Sequence, residues 1–314
     1  MEIQQLRHFL AAAEHHNLLR AADDSFITQS GLSRSIKSLE TKLGVPLFER
    51  RPNGVVPTIY GKSLIRRAKV ILNEMARAIE EVRAIEEART GSVHFGITQN
   101  YASYLVPDIL AGLARDRPDM SVSVRTGGCM ELVEQVRLEA LDFGFGIIGT
   151  LVQEEGIVIE PLQAHHSMVI ARAGHPLAGL ATVTVADLAR ARWVLLDSEA
   201  VQRGFAGFFR RHDMAVPTQI MRTDSVTLIR RLTLDSDVLT ILPREAVAEQ
   251  IAQGLLGQVA CETPEDSGQI GLFSRAGGLA SPAAHLLLDR FRVAFGAAPT
   301  MPRPPRRARK RTYD

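Results

Sequence analysis

Leu18–Arg51 reads LLRAADDSFITQSGLSRSIKSLETKLGVPLFERR, and this stretch decides how the amino-terminal part of the chain folds. The pattern predicts two short helices around a tight turn, followed by a basic hairpin. Ala21 and Ala22 are small enough for two helices to cross closely, and Phe26 with Ile27 is expected to plug the turn. Thr28 stands where an N-cap is wanted, because its hydroxyl accepts a bond from a backbone N–H left without a partner inside the helix. In the helix that follows, from Gln29 to about Glu40, Leu32, Ile36 and Leu39 recur at helical spacing and mark the inner face. The outer face carries Gln29, Ser30, Ser33, Arg34 and Lys37. Amide and guanidinium groups bond base edges in pairs, while Ser, Thr and Lys suit phosphates. The stretch Leu18–Lys37 therefore reads as a helix-turn-helix whose second helix enters a DNA major groove. Arg50 and Arg51 in the hairpin are expected to grip the backbone beside it.

Three runs extend this pattern in order: QLRHFLAAAEHHNLLRAA, TQSGLSRSIKSLETKLGVPLFER and TIYGKSL. Together, over residues 5–64, they resemble the amino-terminal domain of the LysR-type transcriptional regulators. Two departures are small. Ser25 stands where that family usually has Leu, and Pro57-Thr58-Ile59-Tyr60-Gly61 stands in place of the more usual Leu-Thr-x-x-Gly.

The net charge of +2 conceals a segregation. Residues 1–70 hold eleven Lys/Arg against six Asp/Glu, and the tail beyond Pro299 holds six against one, so everything between is acidic. Basic ends suit a polyanion partner. No apolar run approaches the ~18 residues of a bilayer span, and the start MEIQQLRHF has no basic region leading into an apolar one, so neither membrane nor secretion is expected. Cys129 and Cys261 belong to no metal or redox motif. A reduced, cytoplasmic setting is the expectation.

Past the hairpin, residues 62–89 form one helical pattern without Gly or Pro. Leu64, Ala68, Ile71, Met75, Ala78, Val82 and Ile85 recur at spacings of four and three, a heptad seam that asks for a partner helix. Arg66, Arg67 and Lys69 lie at its DNA end. Beyond Thr90-Gly91, short apolar strands alternate with helical stretches in two sets, which implies two α/β lobes. The order resembles the effector domain of the same family, which is similar to periplasmic solute-binding proteins. The expected architecture is thus a winged helix-turn-helix domain over 1–60 and a dimerisation helix over 61–90. A two-lobed α/β effector domain over 91–296 follows, and then a disordered basic tail over 297–314. Lobe 1 is expected near 91–161 and 267–296, and lobe 2 near 162–266.

A ligand between α/β lobes binds where strands end and helices begin, since free N–H groups there favour anions. The junctions at Thr98-Gln99-Asn100, Thr126-Gly127-Gly128-Cys129, Ser198–Phe205 and Thr223-Asp224-Ser225 fit that description. The resemblance implies that Asn100, Cys129, Arg203 and Ser225 surround the effector cleft. Thr98, Gly128 and Ser198 join them from the junctions themselves. Cys129 departs from the usual Ser or Thr, which weakens a hydroxyl contact to a carboxylate there. Arg203 among hydroxyl and amide groups suits a small carboxylate.

Other signals are declined. Gly144-Phe145-Gly146-Ile147-Ile148-Gly149 matches G-x-G-x-x-G, but too few residues follow for the crossover helix and Val169 falls at the acidic position. His15-His16 and His165-His166 lack zinc-ligand spacing. Ser167 and Ser198 lack a nucleophile elbow. Phe205, Phe208 and Phe209 read as core of lobe 2. No catalytic residue, metal or cofactor is expected. The reading is a ligand-responsive, sequence-specific regulator on a dyad DNA operator. It acts as a homodimer, and the resemblance further implies a homotetramer. The rival is an α/β enzyme domain fused to a DNA-binding module, which would need a base–nucleophile pair that these residues do not supply.

Overall fold

A computed structural model describes residues 1–52, 54–86, 91–148, 154–264, 268–278 and 281–296, the side chains of 80, 81 and 83–86 excepted. The expected tail, 297–314, lies outside the described residues. So do Gly149 and the segment after it, where the declined fingerprint ends. The chain forms two compact units, one on its first 89 residues with 137–140, the other on the remainder.

The first unit runs α1 (Ile3–His15), α2 (Leu18–Asp24), α3 (Gln29–Leu43), an antiparallel hairpin of β1 (Phe48–Arg51) and β2 (Gly54–Pro57), and α4 (Ile59–Glu86). Each helix start has a chemical reason. The Asn17 side chain accepts from Leu19 N at 2.9 Å and Arg20 N at 3.2 Å. Thr58 accepts from Gly61 N at 3.1 Å while its own hydroxyl donates to Pro46 O at 2.7 Å, so α4 begins at Ile59 rather than at 61. Leu6, Phe9, Leu39, Leu47 and Ala68 bury one cluster, and Ala12, Ala21, Ala22, Leu32 and Ile36 a second. A fully buried Leu or Phe in such clusters contributes about 1.5–3 kcal/mol.

Two expectations are corrected here. Phe26 does not plug the turn: it is 95% exposed and its φ is 54°. The turn needs one left-handed residue, and that conformation swings the ring outward while Ile27 alone packs against the alanine cluster. The heptad seam is also shorter than it reads. Leu64 and Ala68 are taken up by the core of their own unit. What remains open begins at Ile71 and includes Val82, which is 66% exposed. The side chain of Ile85 lies outside the described residues.

The second unit holds two five-stranded sheets. Its first part runs β3 (Ser92–Thr98), α5 (Gln99–Ala102), α6 (Val106–Asp116), β4 (Ser121–Gly127), α7 (Cys129–Arg137), β5 (Phe143–Ile147) and β6 (Ile157–His165). The chain then crosses into β7 (Ser167–Arg172), α8 (Val185–Arg190), β8 (Arg192–Leu196), α9 (Glu199–Arg211), β9 (Ile220–Thr223), α10 (Val226–Asp235) and β10 (Val238–Pro243). A 3-10 turn at Arg244–Val247, α11 (Ala248–Ala252) and β11 (Leu256–Gln258) complete that lobe before β12 (Gly268–Arg275) and α12 (Pro282–Ala294) return to the first.

Strand order is β4-β3-β5-β12-β6 in lobe 1 and β11-β7-β10-β8-β9 in lobe 2. In lobe 1, β3 runs parallel to β4 and β5, while β12 lies antiparallel between β5 and β6. Lobe 2 repeats the scheme with β8 parallel to β9 and β10 and with β7 antiparallel to β10. The crossing between lobes comes at His165–Ser167, not near 161–162. β6 stays paired with β12 along its whole length, ending with His165 opposite Gly268. Phe205, Phe208 and Phe209 are buried around Trp193 in the core of lobe 2.

Candidate DNA-reading surface and effector cleft

Helix α3 is built to present one face and anchor the other. Thr28 accepts from Gly31 N at 3.2 Å and lies 3.2 Å from the Ser30 hydroxyl, fixing the first turn. Leu32, Ile36 and Leu39 are buried, whereas Gln29, Ser30, Arg34 and Lys37 are exposed. Arg34 Nε donates to Ser30 O at 3.3 Å, which lays the guanidinium along the helix. Ser33 is only half exposed, and its hydroxyl is buried without a partner. Arg50 and Arg51 are exposed on β1, Arg51 lying 3.4 Å from Glu49.

The anchors of α3 escaped sequence reasoning. His8 Nδ1 lies 2.8 Å from the Ser35 hydroxyl, and Gln5 Nε2 donates to Ser38 Oγ at 3.0 Å. Their signal is polar pairs three apart on inner helix faces, Gln5 with His8 and Ser35 with Ser38. At the far end, Glu40 Oε1 accepts from Leu47 N at 2.7 Å and Phe48 N at 3.2 Å, tying α3 to the hairpin.

His8 is 7% exposed, and burial holds its pKa below the ordinary 6.5. With the Gln4 amide nitrogen 2.9 Å from Nε2, the neutral ring carries its hydrogen on Nδ1 and donates to Ser35. Below pH 6.5 the unfolded chain binds a proton that the folded one resists. The His8 contribution to stability is therefore fully present above that pH and is lost as the pH falls through the lowered folded value. The melting temperature of the wild type should fall on acidification below 6.5, and His8→Gln should reduce that dependence, leaving the like-signed share of His175. Superimposable wild-type and variant melting profiles across this range would remove His8 from the account.

In the second unit the parallel strands β3, β4 and β5 end at Thr98, Gly127 and Ile147, and β8, β9 and β10 end at Leu196, Thr223 and Pro243. Ser167 pairs with Pro243, while His165 pairs with Gly268 on the strand that also flanks Ile147. The crossing thus joins the carboxyl edges of the two sheets, and these edges bound the cleft. Tyr104 spans it, packing on the cores of both lobes. Burial, then the Glu245 charge, pushes its hydroxyl well above the usual tyrosine range. Beside it, buried Tyr101 lies 2.6 Å from His165 Nδ1, whose Nε2 is 3.0 Å from Ser167 Oγ. Neither tyrosine, nor His165, nor Ser167 had been placed at this cleft by sequence alone.

Of the residues expected here, four gather on the lobe 1 edge. Thr98 ends β3 against Gly146, where any Cβ would stand 2.7 Å from its hydroxyl. Asn100 is 7% exposed, and both Thr98 Oγ1 and Asn100 Oδ1 are buried without a hydrogen-bond partner. Gly128 faces open space, and the Cys129 thiol donates to Ile147 O at 3.2 Å. On the lobe 2 edge, Ser198 and Ser225 occupy the N-caps of α9 and α10, and Ser225 Oγ accepts from Leu228 N at 3.2 Å. Arg203 stands apart from these: it is exposed one turn along α9 and pairs with Glu199 at 3.4 Å.

A winged helix-turn-helix and a two-lobed α/β unit with its cleft at the strand ends define a DNA-binding, ligand-responsive regulator. Residues 3–62 match the family described as "Bacterial regulatory helix-turn-helix protein, lysR family", and residues 86–296 match "LysR substrate binding domain". The chain belongs to the LysR-type transcriptional regulators. It is 31% identical to the HTH-type transcriptional regulator GbpR of Azospirillum brasilense, over 78% of this chain and 72% of that protein. It is 30% identical to the hydrogen peroxide-inducible genes activator of Escherichia coli, over 88% of this chain and 90% of that one. Full-length CbnR, solved in complex with its target DNA, has the same fold with a TM-score of 0.59 at 22% identity, covering 94% of this chain and 98% of that one. Among the described residues no helix is long and apolar enough to cross a membrane.

Proposed function

We propose that this regulator reads a dyad operator as a homodimer and answers a small carboxylate held between its two lobes, without catalysis. Thr28, Gln29, Ser30 and Arg34 meet bases and adjacent phosphates, and Lys37, Arg50 and Arg51 hold the backbone, whereas Ser33, expected among the readers, keeps its hydroxyl buried in the free fold. The exposed part of the α4 seam joins the two protomers. Thr98, Asn100, Gly128, Cys129, Ser198 and Ser225 line the effector site, and Arg203, one turn along α9, meets the ligand from outside that lining by leaving Glu199. The observation that carries this reading is the pair of buried, unpartnered polar atoms on Thr98 and Asn100. A buried polar atom left unbonded costs about 1–3 kcal/mol; a ligand carboxylate would accept from the Thr98 hydroxyl, and an N–H or O–H elsewhere on the ligand would donate to Asn100 Oδ1.

A peroxide-sensing role, carried by the descriptions of several relatives, suits this chain poorly. Thiol oxidation needs a thiolate. Burial pushes the Cys129 thiol up to about 12, and burial with the Glu262 charge takes Cys261 to about 11.

Arg34→Ala is expected to weaken operator binding more than binding to random DNA, since one good base contact gives about 1–3 kcal/mol of discrimination. Equal weakening on both at one salt concentration would reduce Arg34 to a phosphate contact. The effector side is tested by thermal-shift screening of the full chain against small carboxylates, where a ligand at ~100 times its Kd adds about 2.7 kcal/mol. Asn100→Ala and Arg203→Ala should then lose the response to the hit while operator affinity stays nearly unchanged. Variants that respond at the wild-type concentration would put the pocket elsewhere.

A further inference from the structure

Phe26 joins two costs in one residue. Its ring is 95% exposed, and its φ of 54° lies in the left-handed region that bulky L-residues avoid. Asn or Gly would make the same turn with less strain and no apolar surface in water. Strain held at a single residue points to a contact made outside the free fold.

Its position identifies that contact. The ring projects from the turn that leads into α3, just ahead of the cap residue Thr28 and the exposed Gln29 and Ser30. The amino-terminal residues of a recognition helix are the ones that meet base edges. Exposed Asp23 and Asp24 end α2 behind Phe26, but the first turn of α3 ahead of it carries no acidic residue and the exposed cations Arg34 and Lys37 follow, so it is the α3 side of the turn that suits DNA. A phenyl ring has no polar atom to offer a phosphate. The apolar feature in a major groove is the C5-methyl group of thymine. We propose that Phe26 is a specificity-determining residue whose ring packs on a thymine methyl of the operator. The inference rests on the DNA-binding reading of α3.

The test uses the full-length protein and an operator recovered from a random duplex pool by the wild type. Recovery of an enriched duplex is the readout for DNA reading itself, and its failure would remove both claims. Each thymine of that operator is then replaced by deoxyuridine, which deletes only the methyl group. At one thymine per half-site the wild type should lose on the order of tenfold in affinity, the factor that 1.4 kcal/mol represents. Phe26→Asn should lose a similar factor on the thymine operator, be indifferent to that deoxyuridine, and melt no lower than the wild type. Wild-type binding untouched by every deoxyuridine would overturn the proposal without needing any variant. So would a variant that keeps full operator affinity, or one that still senses the methyl. A variant that keeps operator affinity but fails in transcription with purified RNA polymerase would reassign the ring to a protein contact.

Discussion

Replacing Ile71 and Met75 together with Asp is expected to cost the protein its tight operator binding, by about a hundredfold or more. Two linked reading heads gain ~10²–10⁴ over one, and that gain disappears with the dimer. The choice of residues follows from the packing. Ala68 is buried in the winged unit and Leu64 is half-buried against the same core, so charging them would unfold it and say nothing about pairing. Ile71 and Met75 are the next seam positions along α4 and leave that core untouched. Each Asp would have to be buried against its symmetry mate, an uncompensated charge in an apolar seam. Sedimentation at the wild-type mass, with two half-sites still footprinted, would place the dimer contact elsewhere.

Gly54→Val should damage the winged unit severely, costing about 3 kcal/mol or more from strain and overpacking together. Gly54 has a φ of 136°, and a Cβ there would stand 2.1 Å from the backbone oxygen of His16. That oxygen accepts from Val55 N at 2.9 Å, which is how the hairpin hangs on the end of α1. A side chain would force the two apart and carry Arg50 and Arg51 away from their station. Gly44→Ala is the control: its φ is 73° but nothing lies within 4 Å, so it should cost only about 1 kcal/mol of backbone strain. Thermal unfolding of both variants, with operator binding alongside, separates steric from conformational loss. Equal effects from the two substitutions would refute the close approach.

What the sequence made legible was whatever is encoded by contrast along one element. The two faces of α3 differ at every turn, so its cap, core stripe and outer residues could be read directly. Buried strands such as Val238–Pro243 announce themselves as apolar runs. The strand Ile157–His165 did not, because it lies at a sheet edge with Pro161 inside it and a register shift opposite, between Ile270 and Gly271. Edge strands tolerate proline and mix polar with apolar residues, which erases the alternation. The seam on α4 was legible as a period but not as a division of labour, since nothing in the spacing says which residues its own domain consumes. In the cleft, capping hydroxyls at strand ends could be anticipated. The Tyr101–His165 bond could not: it joins side chains 64 positions apart that are brought together only by the folding of lobe 1.

Lobe 1 closes with the last elements of the described chain, and this sets an order on biosynthesis. Phe291 on α12 packs edge-on against Phe95 and Phe143 at 5.5 and 5.8 Å, and β12 fills the gap between β5 and β6. All of lobe 2 is made in between. At a translation rate of ~5–20 residues per second, β3, β4 and β5 wait roughly ten seconds with these aromatic faces uncovered. The nascent chain during that interval is a natural client for chaperones. A nonsense codon anywhere between β7 and β12 would release a product whose lobe 1 never closes.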